Sequence, residues 1–180
     1  MAMRFHTRVL ALSLPLLAGG ALAEQVCKYD SIPATAPASR FIDNGNGTVT
    51  DKATGLQWKR CSEGQTWSGG TCEGTGTEVT YAAWWRALSL ADAATFAGKS
   101  DWRLPNLKEL LSILERACFS PAIDLRVFPG AAGADSAWHW SSSPNASNSG
   151  AAWCVAFGSG SGASSTKYNP HQVLLVRGGQ

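Results

Sequence analysis

The chain has 180 residues, 44% of them hydrophobic, with 15 basic and 13 acidic side chains. This near balance offers no basic surface for nucleic acid and no charge run for an anionic membrane. After the first residues, no apolar run reaches the 18 or more residues that a membrane-spanning helix needs.

Residues 1–23 have the features of a signal peptide. Arg4 and Arg8 precede an apolar run from Val9 to Leu17, and Ala21-Leu22-Ala23 has the small-x-small pattern of a cleavage site. The sequence therefore predicts an exported protein that is periplasmic, secreted or displayed at the cell surface. Without the two leader arginines, basic and acidic side chains are equal in number. Residues 24–180 are enough for one domain with a hydrophobic core.

The cysteines all lie in the exported part of the chain: Cys27, Cys61, Cys72, Cys118 and Cys154. Disulfides form and persist outside the cytoplasm, and an odd number leaves at least one thiol unpaired. No Cys-x-x-Cys pair is present, and the spacing of Cys61 and Cys72 is wrong for a zinc knuckle. The pattern favours disulfides over zinc. No cofactor is predicted.

Residues 24–40 are predicted to form an N-terminal linker segment, since 33–40 read "PATAPASR". The next motif, "DNGNG", has two interpretations. Asp43, Asn46 and Asp51 could be calcium ligands, but no glutamate follows where a bidentate ligand would close the site. Asn-Gly between apolar strands is also a strong hairpin signal, and we favour the hairpin. A second turn is predicted from Asp51 to Gly55.

Two helices are predicted in the middle of the chain. The first spans residues 80–98, with Trp84, Leu88 and Ala91 on one face and Gly98 as its stop. The second begins at Asn106, because Glu109 three residues later completes a capping-box pattern. Its apolar face is expected to run through Cys118 at the helix end, with Glu109 and Glu115 on the solvent side.

Three strands are predicted near the C-terminus, in "WHWSS", "AWCVAF" and "VLLVR". In the first two, aromatic side chains alternate with small or polar ones, which predicts a sheet covered on one side only. The glycine run 158–162 fits neither a nucleotide loop nor a nucleophile elbow, and we interpret it as a flexible loop.

No catalytic constellation is visible. The exported part has two histidines, His139 and His171, and neither has a serine in a nucleophile-elbow pattern. Asp101 and Arg103 flank Trp102, and we expect them to stabilise local structure through hydrogen bonds or an ion pair.

Six ordered motifs resemble the Lcl C-terminal domain family of exported bacterial proteins: "FIDNGNGTVTDKATGLQW", "SDWRLPNLKEL", "PAID…FP", "WHWSSSP", "AWCVAF" and "VLLVRGGQ". The resemblance covers residues 41–180. It implies an α+β, C-type-lectin-like fold in which two helices pack on a small antiparallel sheet and the N- and C-termini lie close together.

The resemblance also implies a disulfide pattern of Cys61–Cys72 and Cys27–Cys118, with Cys154 free, because similar proteins carry cysteines at the first four positions. A Cys118–Cys154 bridge with Cys27 free remains the alternative.

The family's best-known member type is a collagen-like adhesin that binds sulfated polysaccharide, although this chain has no collagen repeat. Related lectin-like domains serve as variable proteins of diversity-generating retroelements. By that similarity, Trp153, Val155 and Phe157 would support the fold while outward side chains contact a ligand. The candidates are His139, Ser141, Cys154, Ala156, Ser159, Ser161, Ser164, Ser165, Lys167, Tyr168, Asn169 and His171. An ordinary polar surface is the alternative interpretation.

We therefore expect a module that binds a surface polysaccharide or a protein ligand, not nucleic acid. A second hypothesis is an enzyme similar to formylglycine-generating or sulfatase-modifying proteins, for which a lone Cys154 supplies half of the reactive pair. A third is a structural envelope domain with no separate ligand.

Overall fold

Eleven strands and two α-helices are present in residues 25–74, 82–131 and 137–178, which this computed structural model describes. The strands are β1 (Val26–Cys27), β2 (Phe41–Asp43), β3 (Thr48–Asp51), β4 (Gln57–Lys59), β5 (Thr66–Ser68), β6 (Thr71–Glu73), β7 (Cys118–Phe119), β8 (Trp138–Pro144), β9 (Ala151–Ala156), β10 (Ser161–Thr166) and β11 (Val176–Arg177). The helices are α1 (Trp84–Asp92) and α2 (Leu107–Ser112). All pairings between these strands are antiparallel, which confirms the α+β class.

The predicted signal peptide lies outside the described residues, as does the predicted start of the first helix before Ala82. Among the residues that are described, no helix is both long and apolar enough to cross a bilayer.

A four-stranded sheet in the order β11-β4-β3-β2 contains the predicted hairpin. Phe41 pairs with Asp51 and Asp43 with Val49, and Gly47 has a φ of 81° in the turn between them. A Cβ at Gly47 would lie 2.8 Å from Trp67, so this position requires glycine for both backbone and space. The second turn is also confirmed, because the Gly55 N–H donates to the Asp51 carbonyl.

The three-stranded sheet, ordered β10-β9-β8, lies between two hydrophobic clusters. Val155 and Phe157 pack into the cluster that contains α2, whereas Trp140, Ala152 and Cys154 pack into the cluster that contains α1. The prediction of a sheet covered on one side only is therefore wrong. Small side chains alternate with aromatic ones here because Ala152 and Cys154 leave room for α1, not because they face water.

Helix α1 ends at Asp92, six residues before Gly98. Phe96 and Lys99 instead exchange two backbone hydrogen bonds in a tight turn, and the Trp102 indole N–H donates to the Phe96 carbonyl. Packing of Phe96 against Trp102 thus replaces the last predicted helical turns. The predicted inner face is confirmed, since Trp84, Leu88 and Ala91 all lie in the α1 cluster.

Helix α2 begins as predicted and ends early. The Asn106 side chain accepts from the Glu109 N–H, and the Glu109 carboxylate accepts from the Asn106 N–H, which completes the capping box. The helix ends at Ser112, so Cys118 lies in β7 and not at a helix end. Glu115 is consequently not on a solvent-facing helical side. It is fully buried and accepts from the N–H groups of Thr35, Ala36 and Ala117.

Residues 25–40 are not a free linker. Strand β1 pairs with β7, the Cys27–Cys118 disulfide joins these strands, and Ala36 is buried. The Ala38 N–H donates to the buried Asp124 carboxylate. The second disulfide joins Cys61 to Cys72, and Cys154 is free, so the pairing implied by the resemblance is confirmed. Strands β2 and β11 occupy opposite edges of one sheet and do not pair directly.

Candidate functional site

Strand β10 forms an exposed edge beyond the predicted "AWCVAF" strand. It pairs with β9 along its whole length, from Ser161 with Ala156 to Thr166 with Ala151. Residues 161–166 are therefore an ordered strand, and only residues 157–160 make the connecting turn. Residues 161–162 of the predicted loop therefore belong to β10, and the connection between the strands is the turn alone.

Alternation along β10 separates the predicted serine ligands. Ser165 points to the side of the sheet that packs on α1, whereas Ser164 points to the opposite side, where its hydroxyl accepts from Asn145. Ser159 and Ser161 contact each other at the far end of the strand, about 16 Å from Thr166 at 3.3 Å per residue. These side chains cannot form one compact patch.

The structure brings together Ser165–His171 and Trp85, which we call the C-terminal face. Its backbone is tied to three parts of the fold. The Lys167 N–H donates to Gly150, the Trp84 N–H donates to the Lys167 carbonyl, and His171 exchanges two backbone hydrogen bonds with Ala82. Asn169 closes a turn by donating its N–H to Thr166. The segment is thus held by backbone hydrogen bonds before any ligand arrives.

An aromatic pair lies on the C-terminal face. The rings of Trp85 and Tyr168 meet edge to face, with centroids 4.9 Å apart and planes at 75°. Trp85 is 49% exposed and Tyr168 is 77% exposed. Sequence reasoning missed Trp85, because Trp84 is the tryptophan that fits the apolar periodicity of the first helix. Helical geometry could have found it, since residue 85 is about 100° around the helix from Trp84, which is partly buried on the inner face.

Hydrogen-bonding groups surround this pair. The Asn169 side-chain amide donates to the Ser165 hydroxyl at 3.0 Å, and the His171 Nε2 lies 2.8 Å from the same hydroxyl. The His171 ring contacts Trp140, with centroids 4.4 Å apart. Ser165 therefore orients both Asn169 and His171, and Asn169 is an exposed residue next to Tyr168 in the chain.

The C-terminal face carries little positive charge. Lys167 and Arg86 are the basic residues of Ser165–His171 and of the first turn of α1. The Lys167 ammonium lies 4.3 Å from the Trp84 ring centroid and donates to the Ser149 carbonyl. Burial lowers the pKa of His171 below its usual value, so this imidazole is neutral at pH 7.

Four predicted contact residues lie in the interior: His139, Ser141, Cys154 and Ala156. Their predicted outward orientation is wrong, because both sides of β8 and β9 are covered. The Cys154 thiol donates to the Ala163 carbonyl, and burial raises its pKa to about 11. It therefore supplies no thiolate at neutral pH.

His139 contacts Ser62, whose hydroxyl lies 3.3 Å from Nε2, and both residues are buried. Burial, with a smaller contribution from His171, lowers the pKa of His139 to about 3. An imidazole this weakly basic and closed to solvent is poorly suited to activate a serine.

The oxygens of the alternative calcium set are taken by protein donors. Asp43 accepts from Arg60 and from the Gly45 N–H, and Asn46 accepts from the Thr48 hydroxyl. Asp51 accepts from Arg40, Thr54 and the Ala53 N–H. The arrangement is that of a hydrogen-bonded turn.

Asp101 and Arg103, the charged residues on either side of Trp102, form ion pairs as expected, but not with each other. Arg103 makes two hydrogen bonds to Glu109, and Arg177 makes two to Asp101. The first pair borders a cavity of about 710 Å³ between α1 and α2, with Leu88, Asp92 and Leu104 in its wall. Because Arg103 and Glu109 neutralise each other, Asp92 is the charged lining residue that remains without an ion pair among the described residues.

Comparison with known proteins agrees with the sequence motifs. The model of the Lcl C-terminal domain family matches residues 47–177, more than two thirds of the chain. Among curated proteins, no relative matches this sequence.

Proposed function

The chain belongs to the Lcl C-terminal domain family, and we propose that it is an exported ligand-binding module with a C-type-lectin-like fold. Its ligand is a surface polysaccharide or protein, bound at the C-terminal face. Two observations support the lectin-like assignment. Two helices lie beside small antiparallel sheets, and the first and last strands of the region that matches the family belong to one sheet. The two disulfides support an oxidising location such as the periplasm or the cell exterior.

The observation that carries this proposal is an exposed polar and aromatic segment on a backbone that is already ordered. Tyr168 and Asn169 project from a turn held by hydrogen bonds to α1 and to residue 150. A preordered backbone reduces the conformational entropy that binding must overcome. Tyr, Asn and Ser are also the residue types that antibody loops use for adaptable contacts.

The test is binding of the purified, oxidised domain to an array of neutral and sulfated polysaccharides and of extracellular matrix proteins. A variant with Tyr168→Ala, Asn169→Ala and His171→Ala is measured beside it. We expect binding that this variant loses while its thermal unfolding stays cooperative. Binding that the variant retains would contradict the placement. Absence of binding to every probe would favour the structural envelope alternative.

For the enzyme alternative, no observation in the described residues offers support. Cys154 is buried, its pKa is raised to about 11, and the other four cysteines are paired in disulfides. A mechanism that begins from a pair of reactive thiolates finds no reactive thiolate among these five cysteines.

A further inference from the structure

We propose that the ligand of the C-terminal face is an uncharged polysaccharide, whose sugar rings stack on the Trp85–Tyr168 pair. This inference rests on the proposed function and names the ligand class. It differs from the sulfated polysaccharide that the family resemblance implies.

Tyr29 and Phe119 are also exposed, but Trp85 and Tyr168 are the exposed aromatic residues whose rings contact each other. Among described residues, Trp85 and Tyr168 are the tryptophan and the tyrosine with the largest exposed fractions. Their edge-to-face contact fixes each ring against the other, so neither has to be ordered by the ligand. Two fixed rings at about 75° form a corner into which a rigid six-membered ring can fit.

A pyranose ring matches such a corner chemically. Its axial C–H groups make an apolar face that is attracted to the negative face of an aromatic ring, while hydroxyl groups border it. Asn169 follows Tyr168 in the exposed turn, and Asn169 and Ser165, which are hydrogen-bonded to each other, can also bond to such hydroxyls. The exposed Thr166 ends β10 just before the turn that carries Tyr168, and its hydroxyl makes no hydrogen bond to a described residue.

Charge decides between neutral and sulfated polymers. Binding of a polyanion draws its affinity from several cations that displace counterions. Here the Lys167 ammonium is already held over Trp84 and by the Ser149 carbonyl, and His171 is neutral at pH 7. Arg86 is then the one basic side chain of these segments that makes no ion pair or hydrogen bond with a described residue. A single free cation does not make a site for a sulfated chain.

The experiment measures affinity for a panel of glucans, mannans and galactans, each in neutral and chemically sulfated form, at 50 and 500 mM NaCl (about 14 and 4 Å of Debye length). Trp85→Ala and Tyr168→Ala remove the stacking pair. Phe119→Ala is the matched control, because Phe119 is 47% exposed on the distant β7 strand. Thermal unfolding of each variant checks that the fold is retained.

We expect at least one neutral polymer to bind equally at both salt concentrations. Each of the two aromatic substitutions should weaken this binding by roughly tenfold or more, as for a central aromatic contact, and Phe119→Ala should not. Trp85→Phe should retain part of the affinity, because it preserves a ring.

Two results would overturn the ligand class and leave the proposed function intact. One is binding to sulfated forms alone with steep loss of affinity at 500 mM NaCl. The other is binding of matrix proteins, and of no polysaccharide, that is lost in the triple variant. Neutral polymers bound equally by Trp85→Ala and Tyr168→Ala would overturn the stacking itself. If no polysaccharide and no protein binds, both proposals fail.

Discussion

The imidazole of His139 stacks on the ring of Phe157 in the interior of the domain, with centroids 4.1 Å apart and planes at 27°. Both residues are buried. The pKa of His139 is lowered to about 3, mainly by burial and to a smaller extent by the nearby His171. This histidine therefore stays neutral in the folded protein over most of the acid range.

The first prediction concerns stability in acid. Between pH 6.5 and 3 the unfolded chain binds a proton at His139 that the folded domain does not, so the free energy of unfolding rises with pH in this window. This pKa shift alone lowers the free energy of unfolding by on the order of 4 kcal/mol when the pH falls from 7 to 3. His139→Gln should be less stable at pH 7 because it loses the stacking, but its stability should fall less steeply.

Urea unfolding at several pH values measures this free energy. The difference in free energy of unfolding between wild type and variant gives the contribution of His139, because the titrating carboxylates are the same in both proteins. Parallel curves for the two proteins would mean that His139 titrates normally in the folded state.

The second prediction concerns the buried carboxylate of Asp51. Burial by itself would raise its pKa, but hydrogen bonds from Arg40, Thr54 and the Ala53 N–H reverse this and lower it. The ionised Asp51 carboxylate therefore stabilises the fold when the pH is above its pKa in the unfolded chain. This stabilisation is lost as the pH falls through the lowered pKa of Asp51 in the folded domain. Asp51→Asn should cost about 3 kcal/mol at pH 7, because it leaves Arg40 without its partner.

Asp101→Asn is the matched control, since Asp101 forms a similar two-bond pair with Arg177 at the exposed surface. Solvent screens that pair, so its loss should hardly change the unfolding midpoint. Equal effects of the two substitutions would show that burial of Asp51 has no energetic consequence.

The third prediction compares the disulfides. Cys27–Cys118 closes a loop with a sequence separation of 91, and Cys61–Cys72 closes one of 11. The chain-entropy model gives about 4.6 kcal/mol for the long loop and about 2.8 kcal/mol for the short one. Cys27→Ser with Cys118→Ser should therefore lower the melting temperature more than Cys61→Ser with Cys72→Ser. The opposite order in calorimetry would refute the entropic ranking.

The fourth prediction concerns the free thiol. Because Cys154 is buried and its pKa is about 11, iodoacetamide at pH 8 should leave the native protein unmodified. After unfolding without reductant, mass spectrometry should find one added group, on Cys154. Rapid labelling of the native protein would show that the thiol is accessible, and would reopen the enzyme alternative.

Local patterns with a direct physical cause were predictable from the sequence. The Asn-Gly turn after Asp43 and the capping box of Asn106 and Glu109 depend on residues within a few positions of each other, and both are confirmed. The disulfide pairing came from resemblance, because spacing alone allows Cys118 to pair with Cys154.

Long-range packing accounts for what was missed. Alternation in β8 and β9 does not show that α1 covers the second side of the sheet, so it wrongly predicts an outward Cys154. The apolar periodicity of the sequence continues past Ser112, where the helix ends, and so wrongly predicts a surface position for Glu115. The partner of Tyr168 is Trp85, 83 positions away in sequence, and no local pattern connects them.

The bridge between Cys27 and Cys118 also determines how the domain carries mechanical load. Tension applied at the N-terminal end passes through the sulfur atoms directly to β7. Residues 28–117, which the disulfide closes into a covalent ring, therefore bear no tension. At 3.3–3.6 Å per residue, about 300 Å of chain cannot be drawn out by such a pull. Beyond the bridge, the next backbone bonds to bear the force lead from Cys118 toward β8, so the force does not pass along the chain through α1 or Trp85.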